Sequence, residues 1–340
     1  MADNVLPEFR KDIDDAFTHT WWEMRQKAVD NILDANVVSA ALKDAGCFKP
    51  QTGGLFIQRN IRYGKKQAID AAKGDTLPTG ETQLETAALW TWRYFTVHVQ
   101  RSLQDDQKNS GPAKIKDLVK DKLQAARDAL NEHLEAALLA PVDYTNGGKE
   151  GRSEKSPYSL QNILDVAHQG QGVGQYTFGG IDRNNSWWRV KSESATDPAM
   201  LNLIPQMNKL FNNITKGSSE RPDLIIMDQM LFQTYQELVE ADIQRVAETN
   251  THLADLGYDV LRFRGARVVW TGHASFPQGK AFMLYTPSIE IVYDPNLWFS
   301  MTQWVQLPNQ LDRIARIVSA TTGTICTQLR RQGVLGTYTK

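Results

Sequence analysis

The sequence predicts an α+β protein of two lobes, and three observations predict it. Its 340 residues exceed what one hydrophobic core of ordinary size holds. Helical spacing and strand alternation follow one another along the chain, so neither period runs throughout. Between them stand polar stretches that no local apolar run supports, above all IQRNIRYGKKQAIDAAKGD from Ile57 to Asp75. Connections longer than about 12–15 residues with no core of their own are binding elements or linkers.

From Pro7 to Ala45 the apolar residues Phe9, Ile13, Phe17, Trp21, Met24, Ala28 and Ile32 recur every three or four positions, which predicts an amphipathic helix stopped by Gly46. After Gly54 the period becomes two. Leu55, Ile57, Arg59, Ile61 and Tyr63 share one face of a strand. Thr86–Gln100, rich in aromatic and β-branched residues, reads as its return, so Gly53–Thr86 is predicted to be an extended hairpin with limbs of roughly 40 Å at about 3.3 Å per residue. Two strands alone are marginal in water. Something outside the hairpin is expected to hold it.

Pro112 to Ala140 predicts a long helix, opened by Asn109-Ser110-Gly111-Pro112 and closed by Pro141. Ile115, Val119, Leu123, Ala126, Leu130, Leu134 and Leu138 form its apolar stripe. A polar linker, PVDYTNGGKEGRSEKSP, then marks a lobe boundary. Beyond it helices are expected near Tyr158–Gln169, Pro198–Lys216 and Met230–Glu248, and strands at Asp223–Met227, Ala266–Trp270, Ala281–Tyr285 and Ile289–Tyr293. LWFSMTQWVQL and DRIARIVSATTGTICTQ flank Pro308-Asn309-Gln310 as a second long hairpin.

A hydrophobic fraction of 41% and a charged fraction of 23% exclude disorder over the whole chain. The formal net charge of -1 lacks the single-sign excess of a protein that wraps nucleic acid, so contact with nucleic acid is expected to be weak and non-specific. The start MADNVLPEFRKDIDD has no apolar leader region and no window reaches membrane-span length, which points to a chain made in cytosol. Cys47 and Cys326, far apart in apolar surroundings, read as reduced core thiols.

Motifs for catalysis are weak. GQGVGQ at Gly170–Gln175 lacks the third glycine of a dinucleotide fingerprint and follows a helix where a strand is required. LIIMD resembles a magnesium-holding strand, but no phosphate-binding loop accompanies it, and Asp228 reads as a helix N-cap. The six histidines show no paired spacing that would bind zinc. No cofactor and no metal is expected, and an enzyme built on the Gly170–Gly180 loop and Asp228 is the distant alternative. Nine tryptophans, with adjacent pairs at Trp21-Trp22 and Trp187-Trp188, favour an interface between chains over burial in one core.

The stretches GGLFIQRNIRYG, TAALWTWRYFTVHVQ, GGIDRNNSWWR, RPDLIIMDQMLFQTYQEL and TGTICTQLRRQGVLG, in this order, resemble major capsid proteins of tailed bacteriophages with the Hong Kong 97-like fold. The resemblance implies an N-terminal arm (1–52), an extended hairpin loop (53–86), a peripheral domain (87–145 and 286–320) with a spine helix (112–140), and an axial domain (146–285 and 321–340). It further implies self-association into hexamers and pentamers of an icosahedral head that encloses double-stranded DNA. A scaffolding protein, a portal and decoration proteins are its implied partners, with assembly in host cytoplasm. An encapsulin-like cargo shell is the alternative within the fold. The hairpin would lie across a neighbouring subunit, with Trp21, Trp22, Arg59, Arg62, Tyr63, Lys65, Lys66 and Lys73 as candidate contacts.

Overall fold

The computed structural model of the chain describes residues 36–66, 68–70, 72–74, 76, 80, 83–101, 118–140, 155–164, 177–194, 203–215, 217, 220–239, 261–308 and 312–336. Trp21, Trp22 and most of the first predicted helix lie outside them, as does GQGVGQ. The described residues fall into two compact units, the smaller drawn from Thr96–His133 and Phe299–Ser319, the larger from Asn36–Phe95, Leu134–Trp298 and Ala320–Lys340.

The larger unit begins with helix α1 (Val37–Asp44), which ends as the sequence predicts. Gly46 takes a φ of 71°, a conformation open to glycine, while the N–H groups of Gly46 and Cys47 close on the carbonyls of Lys43 and Leu42. Strand β1 (Phe48–Pro50) follows and pairs in parallel with β12 (Ile289–Tyr293). The hairpin strands β2 (Phe56–Arg62) and β3 (Glu85–Thr91) pair antiparallel, and β4 (Arg93–Arg101) follows them.

The return is therefore broken, in contrast to the single strand the sequence predicts. Trp92 leaves the ladder and donates its indole N–H to the carbonyl of Gly54 at 2.8 Å. Beyond it β4 pairs with β15 (Arg313–Cys326), so the paired limb stops at seven residues, about 23 Å at 3.3 Å per residue. Expected limbs of roughly 40 Å counted residues that belong to another sheet.

The long helix α2 (Leu118–Leu139) has 22 residues, about 33 Å at 1.5 Å per residue. Its stripe is buried at Ala126, Leu130, Leu134 and Leu138 and half-buried at Leu123. The short helix α3 (Leu160–Ile163) opens on a reciprocal cap, in which Ser159 accepts the N–H of Asn162 and the Asn162 side chain accepts that of Ser159.

After α3 come β5 (Thr177–Phe178), β6 (Ile181–Asp182), a 3₁₀ turn at Ser186–Trp188 and β7 (Lys191–Ser194). Helix α4 (Leu203–Ile214), β8 (Leu224–Asp228), helix α5 (Gln229–Val239), β9 (Leu261–Phe263), β10 (Ala266–Thr271) and β11 (Ala281–Leu284) follow, and β16 (Gly333–Gly336) closes the described chain. These strands make one sheet in the order β7-β16-β11-β8-β10-β9. β8 lies parallel to β10 and antiparallel to β11. All of Leu224, Ile225, Ile226 and Met227 are buried, the uninterrupted apolar run of a strand covered on both faces. Ile225 and Met227 pack with Leu203, Met207, Leu210 and Phe211 of α4 and with Leu231 and Tyr235 of α5. α1 packs on β10, and Asp44 meets Arg267 there at 3.7 Å. Asp228 stands just before α5 as the sequence predicts, but its carboxylate accepts the N–H of Gly279 at 3.1 Å, tying β8 to the loop before β11.

In the larger unit β12 also pairs antiparallel with β15. Gly323 there has a φ of 77°, and a Cβ on it would stand 2.2 Å from the carbonyl oxygen of Tyr158. That close approach lets Tyr158 bond both Thr322 and Thr324. In the smaller unit β13 (Ser300–Met301) and β14 (Val305–Gln306) pair with the earlier half of β15, the second predicted hairpin in broken form.

Candidate functional site

The hairpin is two-faced, as its alternation predicts. Ile57 lies opposite Trp90, Arg59 opposite Ala88 and Ile61 opposite Thr86. Ile57, Ile61, Ala88 and Trp90 are buried, whereas Phe56 and Leu89 on the other face are exposed and Leu55 beside them is 81% exposed.

The buried face rests on the hairpin's own chain, which corrects the expectation that nothing in the subunit supports it. The turn between β5 and β6 lies beneath Trp90. Gly179 has a φ of 63°, a Cβ on it would meet the Trp90 ring at 2.8 Å, and its carbonyl accepts the N–H of Leu89 at 3.0 Å. The rings of Trp90 and Phe178 meet edge to face at 5.7 Å, and Trp188 donates its indole N–H to the Phe178 carbonyl at 3.1 Å. Arg183, itself buried, lies over the Phe178 ring and donates to the carbonyls of Asn162 and Ile163. Trp90 and Trp188 are thus fully buried inside one molecule. Trp270 lies against Phe232, and Trp298 against Phe48 and Tyr293. For these tryptophans the expected inter-chain burial gives way to a ring partner in the same chain.

The predicted contact residues separate into groups. Arg59 is held by its own subunit: it donates to Glu290 on β12 from Nε at 2.9 Å, and its Nη2 stands 2.8 Å from the same carboxylate. Tyr63 stacks on Trp187, with centroids 4.6 Å apart and planes 13° from parallel. Arg62, Lys65 and Lys66 are exposed and line a groove of about 690 Å³ at the hairpin root, where Arg330 joins them. None of these four cations makes an ion pair among the described residues. Gly64 forms part of the wall, because a Cβ there would fall 2.7 Å from the Gln83 carbonyl while its N–H and that of Tyr63 both reach the Leu84 carbonyl at 3.0 Å. Lys73 is exposed further out on the hairpin.

Phe178, Gly179, Trp188, Glu290 and Arg330 complete this region and were not predicted to belong to it. Gly179-Gly180 carried a turn signal, whereas nothing in the sequence tied Glu290 or Arg330 to a strand more than two hundred residues earlier.

Chemically reactive arrangements are sparse. Among the described residues no group of three histidine, cysteine or acidic side chains is placed to hold a metal ion, and no helix is long and apolar enough to cross a membrane. Both cysteines are free and buried, as predicted. Burial, with Asp223 adding to it, pushes the Cys47 thiol up to about 12, and burial pushes that of Cys326 up to about 11. Such thiols are poor nucleophiles.

No protein-family model matches the chain, and no curated protein matches it in sequence. Solved structures do match, over nearly its whole length. The capsid asymmetric unit of cyanophage A-1(L) aligns with a TM-score of 0.63 at 14% identity, covering 92% of this chain and 96% of that one. The chain has the Hong Kong 97-like capsid fold. The capsid of the empty GTA particle shares it with a TM-score of 0.61 at 10% identity, over 92% of this chain and 94% of that one. The SrpI encapsulin of Synechococcus elongatus PCC 7942 shares it with a TM-score of 0.54 at 10% identity, over 91% of each chain. Within this capsid fold the β2–β3 hairpin and its basic root are the most exposed extended element among the described residues.

Proposed function

We propose that the chain is the major capsid subunit of a tailed phage, which self-associates into hexamers and pentamers of an icosahedral head around double-stranded DNA. The observation that carries this reading is the match to a phage capsid subunit over 92% of this chain and 96% of that one. The protein acts by packing and catalyses no reaction. In this reading residues 1–52 are the arm, 53–86 the hairpin loop, 87–145 with 286–320 the peripheral domain, and 146–285 with 321–340 the axial domain.

The exposed side of the hairpin supports the assignment. A subunit that stayed alone would gain nothing by presenting Leu55, Phe56, Leu89 and Ile69 to water. Trp21, Trp22, Arg62, Tyr63, Lys65, Lys66 and Lys73 are the proposed contacts with a neighbour, and Arg59 anchors the hairpin that carries several of them. Many weak contacts repeated around closed symmetry make a stable shell. A scaffolding protein and a portal would complete assembly in host cytoplasm, decoration proteins would bind outside, and DNA would be held weakly, in keeping with the net charge of -1.

Expression alone and with neighbouring genes, followed by sedimentation and negative-stain microscopy, tests the reading. Closed shells, hexamers or pentamers are expected. A stable monomer under every condition would refute it. The likeness to the SrpI encapsulin favours one second reading, a shell around a protein cargo. Nuclease-protected DNA inside purified shells separates the phage head from a shell that retains an enzyme.

A further inference from the structure

We infer that the groove at the hairpin root receives the acidic N-terminal segment of a second copy of this chain, an inference that rests on the self-association proposed above. The groove is open and about 690 Å³, large enough for several side chains of a peptide. Its lining brings Arg62, Lys65 and Lys66 from the hairpin to face Arg330 from the turn before β16, and it includes no carboxylate. All four cations are exposed, and none is ion-paired among the described residues. Clustered like charges oppose one another, so such a site favours a ligand with several negative charges. The remaining lining, with Ile61, Leu84 and the stacked Tyr63 and Trp187, adds an apolar floor.

The ligand should therefore pair carboxylates with aromatic or aliphatic side chains. The chain carries such a segment at its own start: MADNVLPEFRKDIDDAF sets Asp3, Glu8, Asp12, Asp14 and Asp15 against Arg10 and Lys11, and includes Phe9 and Phe17. Nucleic acid suits the site less well. Tyr63 and Trp187 are stacked on each other, so two of the ring faces that a base would use are already covered. The near-neutral chain also lacks the extended basic surface that polyanion binding uses. In a closed assembly each groove meets a neighbour's segment at high effective concentration.

Charge exchange tests the inference in the full chain. Lys65→Glu with Lys66→Glu should lower the assembled fraction about tenfold or more, since like-charge juxtaposition costs several kcal/mol. Adding Asp14→Lys and Asp15→Lys should restore assembly. Unimpaired assembly of the first variant, or no rescue by the second pair, overturns the inference. Co-expression of one chain carrying Lys66→Cys with a differently tagged chain carrying Asp14→Cys should give a mixed disulfide on mild oxidation, and the native thiols are buried. Shells that form without that link overturn the docking while leaving the capsid reading intact. A link seen only when both cysteines are in one chain shows docking within a copy and overturns it equally. Loss of protected DNA with unchanged assembly in the charge-reversed variant would assign the groove to nucleic acid instead. If the wild-type chain forms no assembly, both proposals fall together.

Discussion

The carboxylate of Glu135 accepts the backbone N–H of Ser39, 96 residues earlier, at 2.8 Å, and its second oxygen accepts that of Val38 at the same distance. A side chain on the long helix α2 thereby caps α1, whose own preceding residue, Asn36, supplies no side-chain cap. Helix N-termini present unpaired N–H groups and a partial positive charge, which a carboxylate satisfies. Glu135 is fully buried, so the cap is formed out of water.

Removing that cap should destabilise the subunit. Glu135→Ala strands two N–H donors, at about 1–3 kcal/mol for each buried group left unpaired. Glu135→Gln keeps the shape and one acceptor but turns an NH₂ toward the other donor, and should have a smaller effect in the same direction. Thermal unfolding of the two variants at neutral pH measures both, with the order Ala below Gln below wild type.

The same pair gives a pH dependence. Burial raises the Glu135 carboxyl above its ordinary value, although the bonds from Ser39 and Val38 pull the other way and His273 adds to that pull. A group raised on folding contributes stability that is full below its unfolded value, about 4.3, and is lost as pH rises through its folded value. The gap in melting temperature between wild type and Glu135→Gln should therefore be widest in acid and narrow as pH rises. A gap that widens with pH would show that the N–H groups outweigh burial.

Gly179 gives a second test, since it lets the β5–β6 turn approach the hairpin. Gly179→Ala places a Cβ 2.8 Å from the Trp90 ring and 3.0 Å from the Ala88 Cβ, at a φ of 63°. Overpacking of this kind costs about 1–3 kcal/mol, and the left-handed backbone adds about 1 kcal/mol more. Calorimetry reads the loss, and faster amide exchange at Leu89, whose N–H bonds the Gly179 carbonyl, localises it to the hairpin.

These two sites mark where sequence reading stops. The alternation from Leu55 to Tyr63 identified the buried side of β2 correctly because one face is covered and the other is wet, the condition under which period two is visible. The run Leu224–Met227 was legible because both of its faces are covered. What covers the hairpin was not legible. Phe178, Gly179 and Trp188 lie far along the chain, and Trp188 reads from sequence as one half of an exposed pair. Glu135 stands within a leucine stripe, where the helical period places it beside Leu134 and Leu138, yet periodicity cannot show that two backbone donors await it.

The long helix distinguishes two residues of one stripe. Leu130 is almost wholly buried, whereas Leu123 is half-buried. Leu130→Ala should lower stability by about 2–5 kcal/mol, the range for a core leucine. Leu123→Ala should fall below that range. Denaturant titration resolves the difference, and equal losses would mean that the stripe is covered equally at both positions.

Hairpin truncation separates folding from assembly. Every described residue among 68–80 is exposed, and Ile69 is 52% exposed with no cover in its own subunit. The buried face of the hairpin ends at Ile61 and Tyr63, where the root is already fastened by Glu290 through Arg59 and by Trp187. Replacing residues 67–82 by a short turn therefore removes surface that contributes nothing to the subunit core, and its melting temperature should stay near wild type. If the tip is instead covered by a neighbour, the same variant loses the apolar and charged contact that the neighbour needs. Sedimentation should then find folded subunits with no closed shells. A variant that unfolds would place the tip in its own core, and one that assembles at wild-type yield would move the decisive inter-subunit contact to the arm.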